Sequence, residues 1–176
     1  MKQAAPALSV NMDFEIDLDA SQRAALQPAR LIEACQAAAM QAGLSQPAEM
    51  SLVIADDVRV QELNRVYRGV DATTDVLAFG EKGEGAPAGA GAPHFVVAPA
   101  GEPSYLGDVI ISLPQAARQA AERGHTLQSE LCLLAVHGTL HLLGFEHGEP
   151  ADKARMWDMQ RAALRRLGCE DAQPED

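Results

Sequence analysis

Apolar and polar residues alternate near the start of the chain, and this alternation predicts a first strand. The apolar members are Leu8, Val10, Met12, Phe14, Ile16 and Leu18. A period of two places every second side chain on the same face, as in a half-buried β-strand. Compact apolar runs at 50–55, 76–79 and 105–113 are short enough to be three further strands.

Apolar residues at helical spacing predict five helices between and after these strands. The helices open at Pro28, at Asp56 or Asp57, at Pro114, at Thr126 and at Ala151. They close near Gly43, Gly69, Gly124, Gly144 and Gly168. Proline suits a first helical turn, Asp and Thr cap its free N–H groups, and glycine readily ends a helix. Because helices gather at the end, we expect an α+β domain over residues 1–168 with one small mixed sheet.

Two segments have a composition that is unfavourable for folding. Residues 80–103 include Ala86 to Pro93, a stretch built only from Ala, Gly and Pro. Such a segment buries too little apolar surface to offset its ordering entropy, so we expect a flexible insertion. Residues 169–176 carry four acidic residues and no basic residue, and we expect them to form an acidic disordered tail.

The net charge, the cysteine spacing and the length of the apolar runs each argue against particular classes of protein. The chain of 176 residues is 47% hydrophobic, and its net charge of -11 disfavours a broad, non-specific grip on nucleic acid. Its three cysteines include no C-x-x-C pair, which argues against a disulfide framework or a cysteine zinc site. The sequence shows no signal-peptide pattern, and no apolar run approaches the roughly 18 residues of a membrane span. We therefore expect a cytoplasmic protein without a membrane partner.

Three of the five histidines fall within a short stretch, at His137, His141 and His147. His137 and His141 are four residues apart on a predicted helix, so their side chains share one face. Gly144 allows the chain to leave the helix and to bring His147 back toward the other two. Three imidazoles with an open fourth position describe a catalytic zinc site, although imidazole also suits Ni, Cu and Fe.

The same histidine spacing occurs in metzincin proteases, H-E-x-x-H-x-x-G-x-x-H, but the second position here is Gly138. A protease of that class needs this glutamate as the general base for its attacking water. Glu130 lies two helical turns earlier, and Glu146 should point away from His147, so neither replaces it. The sequence therefore disfavours peptide hydrolysis.

The histidine segment resembles the signature of the YbeY family of bacterial rRNA-maturation endoribonucleases. Residues 137–147, HGTLHLLGFEH, correspond to H-G-x-L-H-L-x-G-[YF]-D-H, with Glu in place of the usual Asp. Three more family motifs precede it in the family's order. Residues 63–69 (LNRVYRG) resemble L-N-x-x-Y-R-G, residues 74–79 (TDVLAF) resemble T-[DN]-V-L-S-F, and residues 106–112 (LGDVIIS) resemble L-G-D-I-x-I-S.

This resemblance implies a zincin-like α+β fold and a zinc-dependent endoribonuclease specific for single strands. It implies one zinc ion per chain on His137, His141 and His147, and it places the functional arginine at Arg68. Arg68 and His137 are then the expected catalytic residues. The resemblance also implies a role in 16S rRNA 3′-end maturation and ribosome quality control. The partners would be single-stranded rRNA, the small ribosomal subunit and its assembly factors.

Several assignments stay open at the level of sequence. Arg68 can instead form a surface salt bridge with an acid such as Asp71, and we expect His125 at the surface. Asp75 and Asp108 can each orient a metal-binding histidine or serve as turn residues at a strand end. The chain can also be a ribosome-associated assembly factor with a structural zinc, or a metal-dependent hydrolase of another substrate. A fourth protein ligand would favour the structural zinc, and an open site beside Arg68 would favour an enzyme.

Overall fold

Four strands form one mixed sheet in the order β1-β2-β4-β3. The computed structural model describes residues 7–80 and 102–172, so most of the predicted insertion and residues 173–176 lie outside the described residues. The strands are β1 (Leu8–Glu15), β2 (Ala48–Ala55), β3 (Val76–Gly80) and β4 (Ser104–Ser112). Strands β1, β2 and β4 run parallel, and β3 runs antiparallel to β4. The prediction of one small mixed sheet is therefore confirmed.

Six helices accompany the sheet in the described residues, where about five were predicted. They are α1 (Ala20–Ala25), α2 (Pro28–Gln41), α3 (Asp57–Arg68), α4 (Leu113–Arg123), α5 (Leu127–Leu142) and α6 (Pro150–Leu167). The predicted caps are present, because Asp56 accepts a hydrogen bond from the backbone N–H of Arg59 and Thr126 accepts one from that of Ser129. The α+β class is confirmed. Over the described ranges, no helix is both long and apolar enough to traverse a bilayer.

Helix α1 is the element that the apolar pattern missed. It has 6 residues and none of them is buried, so no apolar period marks it. Its sequence signal is a capping box, in which the side chains of Asp19 and Gln22 each accept a hydrogen bond from the backbone N–H of the other. Strand β1 also ends at Glu15 rather than at Leu18, because the chain then turns into this helix.

Apolar side chains cover both faces of the sheet. The larger core lies between the sheet and helices α2, α5 and α6, and it takes alternate residues of the two central strands: Met50, Leu52, Ile54, Val109 and Ile111. A smaller core on the other face joins the sheet to α3 through Ala55, Val60, Leu77 and Ile110. Strand β4 is thus buried on both faces from Val109 to Ser112, whereas the second face of β2 is only half-buried at Glu49, Ser51 and Val53.

Helix α5 is the centre of the larger core, and 12 of its 16 residues are buried. At Gly138 the helix approaches β4 so closely that an added Cβ would lie 2.6 Å from Cγ1 of Val109. Real Cβ atoms do not come this close, so a larger side chain here would push the helix off the sheet. The position that carries glutamate in metzincins therefore has no room for it in this protein.

The chain stays packed beyond the predicted end of the domain. Cys169 is 3% exposed and Ala172 is fully buried, both in the larger core. Between them, Asp171 accepts a hydrogen bond of 2.9 Å from the hydroxyl of Ser129. The prediction of a disordered tail from residue 169 was therefore wrong for residues 169–172. The acidic composition concealed two small apolar side chains that fill the core.

A buried charge cluster joins α4 to α5. The carboxylate of Glu130 is fully buried, lies 3.0 Å from Nη1 of Arg123, and contacts Nε2 of His125. The side chain of His125 is only 3% exposed, so the prediction of a surface position was wrong. His125 is buried because it contacts the carboxylate of Glu130, and a buried charge requires partners that donate hydrogen bonds to it.

We expect Glu130→Ala to lower the free energy of unfolding by about 3–5 kcal/mol, because Arg123 and His125 would lose a buried acceptor. Urea denaturation at neutral pH measures this change. Glu62→Ala is the matched control, since Glu62 pairs with Arg59 at an exposed position and should contribute at most about 1 kcal/mol. Equal, small effects of the two substitutions would show that the buried cluster does not stabilise the fold.

Candidate metal centre

The three histidines of the motif meet at the C-terminal end of α5. The Nε2 atoms of His137 and His141 lie 3.0 Å apart. The ring of His147 has its centroid 5.6 Å from that of His137 and 5.2 Å from that of His141. One ring nitrogen from each residue lies within 4.8 Å of the other two. Since zinc–nitrogen bonds are about 2.0–2.1 Å long, small side-chain adjustments would let one ion contact all three.

A tight turn brings His147 back to the helix. Gly144 has a φ of 88°, a left-handed conformation that costs glycine little. The backbone N–H groups of Gly144 and Phe145 donate to the carbonyls of His141 and Leu140, which closes the helix end. Phe145 is buried in the core and anchors the turn, so His147 is held near the helix although it is exposed.

The Nδ1 atom of His137 is 2.7 Å from Oε1 of Gln160, a residue of α6 that is fully buried. When Nδ1–H donates to this oxygen, the neutral ring keeps its lone pair on Nε2, which is the atom facing His141. Metal-binding histidines usually have such a hydrogen-bond partner, which fixes the tautomer of the ring. The donor set and its orientation therefore fit a metal ion that prefers nitrogen ligands.

Burial prepares the two helical imidazoles for metal binding. It lowers the pKa of His137, against opposing effects of Gln160 and of the negative charge of Asp75. It also lowers the pKa of His141 to about 4, together with the charges of His137, His147 and Arg68. Both rings are neutral at pH 7 as a result, and a neutral ring offers the lone pair that a metal requires.

Glu146 lies beside the triad without joining it. Its Oε2 is 3.7 Å from Nδ1 of His141, and the carboxylate is 75% exposed. That nitrogen is on the opposite edge of the ring from Nε2. The group of metal-ligating side chains found among the described residues contains the three histidines and no carboxylate.

Arg68 lies at the last residue of α3 with an exposed side chain. Its positive charge contributes to the lowered pKa of His141, so it lies within electrostatic range of the triad. The salt bridge considered with Asp71 is not formed in the described residues, and Asp71 accepts a hydrogen bond from Gln61 instead. The ring of Tyr67, the preceding residue, packs against Phe79 of β3 at 5.1 Å and fixes this end of α3 beside the edge strand.

Neither Asp75 nor Asp108 forms a hydrogen bond with a histidine of the triad among the described residues, although the charge of Asp75 acts on His137. Asp75 accepts hydrogen bonds from the backbone N–H of Val76 and from Nε2 of Gln119. Asp108 accepts one of 2.7 Å from the hydroxyl of Tyr105. The orienting position is taken by Gln160, which is 23 residues after His137 in the chain. No local spacing could reveal it, because the two residues meet only when α6 packs on α5.

A cleft of about 350 Å³ opens beside the triad. Its walls include Leu133 and Leu134 of α5, Lys153 and Trp157 of α6, and Arg123 of α4. The ring centroid of Trp157 is 5.6 Å from that of His147. The cleft and the triad therefore form one continuous site, which combines nitrogen ligands, an aromatic surface, two cationic side chains and the carboxylate of Asp75.

Proteins named Endoribonuclease YbeY are similar to this chain over most of its length. The protein from Moorella thermoacetica is 51% identical over 135 residues, which cover 76% of this chain and 81% of the relative. The protein from Roseiflexus castenholzii is 42% identical over 161 residues, which cover 89% and 96%. The solution structure of a Thermotoga maritima protein matches with a TM-score of 0.54 and 18% identity, over 96% of this chain and 99% of that one. At that identity the match concerns the fold alone.

The family described as Endoribonuclease YbeY matches residues 15–168. This range includes the histidine triad, Arg68 and the residues that line the cleft. The zincin-like α+β fold expected from the four sequence motifs agrees with the observed sheet and helices. The chain belongs to the endoribonuclease YbeY family.

Proposed function

We propose that this protein is a zinc-dependent, single-strand-specific endoribonuclease that acts in 16S rRNA 3′-end maturation and ribosome quality control. The observation that carries the proposal is the convergence of three imidazoles on one point in a chain of this family. We propose RNA cleavage as the reaction because the relatives are named endoribonucleases. The triad, the cleft and Arg68 supply groups that suit cleavage of a phosphodiester bond.

The number of ligands favours a catalytic over a structural zinc. Structural sites usually have four protein ligands, whereas catalytic sites have three and keep one position for water or substrate. The cluster in the described residues has three members, His137, His141 and His147. This supports an enzyme over an assembly factor that uses zinc only for folding.

One zinc ion per chain on these histidines would polarise a phosphate oxygen and lower the pKa of a bound water to about 7. The protein's own residues prepare the site for that ion. Burial keeps His137 and His141 neutral, and Gln160 holds His137 with Nε2 toward the other ligands. Because the ion would itself activate the water, no carboxylate base would be needed, and the absence of a side chain at Gly138 is compatible with RNA cleavage and unfavourable for the metzincin mechanism.

Arg68 is the residue that we assign to the phosphate. A guanidinium can donate two parallel hydrogen bonds to phosphate oxygens and remains charged at all working pH values. Placed near His141, it can offset negative charge that develops on the phosphate in the transition state. His137 and Arg68 are thus the proposed catalytic residues, one as a metal ligand and one as a phosphate donor.

The net charge of -11 constrains how RNA reaches the site. An acidic protein binds the phosphate backbone weakly unless cations are concentrated locally, since phosphate contacts supply most non-specific affinity. Among the described residues, Arg123 and Lys153 line the cleft beside the triad, and the charge of Arg68 acts on His141. We propose that partners deliver the RNA, and the family resemblance implies which ones: single-stranded rRNA would be brought to the site in the cytoplasm by the small ribosomal subunit and its assembly factors.

We expect purified wild-type protein to contain about one zinc ion per chain and His141→Ala to lose it. Removing one of three ligands leaves a site with too few donors to retain the ion. Elemental analysis after exhaustive dialysis measures the metal content. His125→Ala is a control, because His125 pairs with Glu130 outside the triad. Full zinc content in His141→Ala would contradict the ligand assignment.

We expect Gln160→Leu to weaken zinc binding roughly 10- to 100-fold, because His137 would lose the acceptor that fixes its tautomer. Competition with a chromophoric chelator measures the affinity. Gln160→Glu retains an acceptor oxygen and should bind zinc more tightly than Gln160→Leu. Equal affinities of the two variants would show that Gln160 contributes packing and not orientation.

We expect Arg68→Glu to reduce cleavage of single-stranded RNA at least about a hundredfold, with zinc content and circular dichroism unchanged. The substitution removes a bidentate donor and adds repulsion toward the phosphate. The comparison requires one fixed salt concentration, because phosphate contacts depend on ionic strength. Arg165→Glu makes the same change in net charge on α6, where the arginine side chain is 75% exposed, and should retain activity.

Cleavage by Arg68→Glu within a factor of two or three of wild type would identify Arg68 as an ordinary surface residue. If zinc-loaded wild-type protein, purified free of contaminating nuclease, failed to cut RNA, the proposed endoribonuclease activity would be contradicted. The assembly-factor alternative would then take its place.

A further inference from the structure

The cleft beside the triad contains an aromatic ring that the proposed metal chemistry does not use. Trp157 lies on α6 with its ring centroid 5.6 Å from His147 and 6.1 Å from His137. It is partly exposed, and it faces the cleft together with Leu133 and Leu134. A partly exposed indole beside a proposed phosphate-cleaving centre provides a flat apolar surface at low entropic cost.

Two cations lie in the same cleft. Arg123 lines it while one of its guanidinium nitrogens is held 3.0 Å from the fully buried carboxylate of Glu130, which restricts the orientation of the side chain. Nζ of Lys153 lies 5.4 Å from the centroid of the Trp157 ring. One cation is thus fixed by a buried partner, and the other is carried on a flexible side chain next to the aromatic ring.

We propose that this cleft is a nucleotide subsite, in which the base of the nucleotide beside the scissile phosphate stacks on Trp157. A phosphate of that nucleotide then contacts Arg123 and Lys153. The inference rests on the proposed endoribonuclease function and adds to it a residue that positions the substrate. Trp157 is a binding residue here, and it takes no part in the bond that is cleaved.

The chemistry of the cleft matches the two parts of a nucleotide. A base offers a π-face to an indole, and such stacking is tolerant of sequence because every base has that face. The phosphate oxygens can accept hydrogen bonds from Lys153 and from the guanidinium of Arg123, beside the ion pair that Arg123 forms with Glu130. A volume of about 350 Å³ lies at the small end of ligand sites, which span roughly 300–1,000 Å³. The cleft is therefore suited to one nucleotide and is too small for a stacked duplex.

The subsite also gives a physical reason for a preference for single strands. A base can lie on Trp157 only after it has left its own stack, and unstacking from a duplex costs a few kcal/mol. An unpaired nucleotide avoids most of this cost. The cleft thereby selects single-stranded RNA through the base, while the metal centre and Arg68 act on the phosphate.

Trp157 is the only tryptophan in the sequence, so its fluorescence reports on the cleft directly. The first experiment titrates zinc-loaded wild-type protein with adenosine and uridine monophosphates, which contain no internal phosphodiester bond to cleave. We expect saturable quenching by both nucleotides. Inorganic phosphate at matched ionic strength tests charge alone, and it should cause little quenching. Absence of nucleotide quenching, or equal quenching by phosphate, would overturn the subsite.

The second experiment compares Trp157→Leu with Trp157→Phe, using cleavage of a short single-stranded RNA and the binding of its labelled form. We expect Trp157→Leu to weaken RNA binding and raise KM roughly 5- to 150-fold, the range for loss of one base–aromatic stack. Trp157→Phe keeps a ring and should recover much of the loss. Zinc content and circular dichroism must match wild type in both variants.

A third experiment tests the role of positive charge in the cleft with two matched variants on α6. Lys153→Gln should weaken RNA binding and reduce its salt dependence, whereas Arg161→Gln should not. Arg161 lies on the same helix and pairs with the exposed Asp158. An unchanged salt dependence in Lys153→Gln would remove Lys153 from the subsite.

The outcomes separate this inference from the proposed function. Wild-type cleavage of RNA with unchanged KM and binding in Trp157→Leu would overturn the subsite and leave the endoribonuclease intact. Saturable quenching by mononucleotides without any RNA cleavage would overturn the endoribonuclease and leave a nucleotide-binding cleft.

Discussion

The close contact between α5 and β4 is the constraint on which the rest of the structure depends. Gly138 has no Cβ, and an added one would lie 2.6 Å from Val109, so the helix can lie directly on the sheet. Once that face of α5 is fixed, His137 and His141 must lie on another side of the helix, one turn apart. Helix α6 packs against α5 through Gln160 and completes the environment of His137. A small residue at position 138 thus supports the fold and, through it, the metal centre.

Burying α5 on most of its surface has a chemical consequence. Each polar group on the helix must find a partner inside the protein, because unpaired buried groups are costly. Glu130 meets Arg123 and His125, and His137 meets Gln160. The same burial lowers the histidine pKa values and leaves the rings neutral. The packing that stabilises the domain therefore also produces deprotonated nitrogen ligands.

Short-range sequence patterns predicted most of the secondary structure and the clustering of the histidines. The features that they did not predict depend on contacts between residues that are distant in the chain. The strands, five of the helices and the convergence of the histidines follow from residue spacing, a turn glycine and short-range periodicity. Gln160 and Trp157 could not be placed, because each meets the triad only through the packing of α6. His125 was expected at the surface because it was judged without Glu130, its buried partner. The burial of Cys169 and Ala172 was not predicted, because the prediction for residues 169–176 followed their acidic average composition.

In the described part of the chain, the cations near the triad come from three different helices, α3, α4 and α6. The positive charge of Arg68, at the end of α3, contributes to the lowered pKa of His141, whereas Arg123 and Lys153 line the cleft next to His137 and His147. Under the proposed function, an RNA strand with a base in the cleft would have its scissile phosphate at the neighbouring histidines, where the charge of Arg68 also acts. In a protein of net charge -11, cations that lie near the histidines favour RNA binding at this site over general adhesion to RNA.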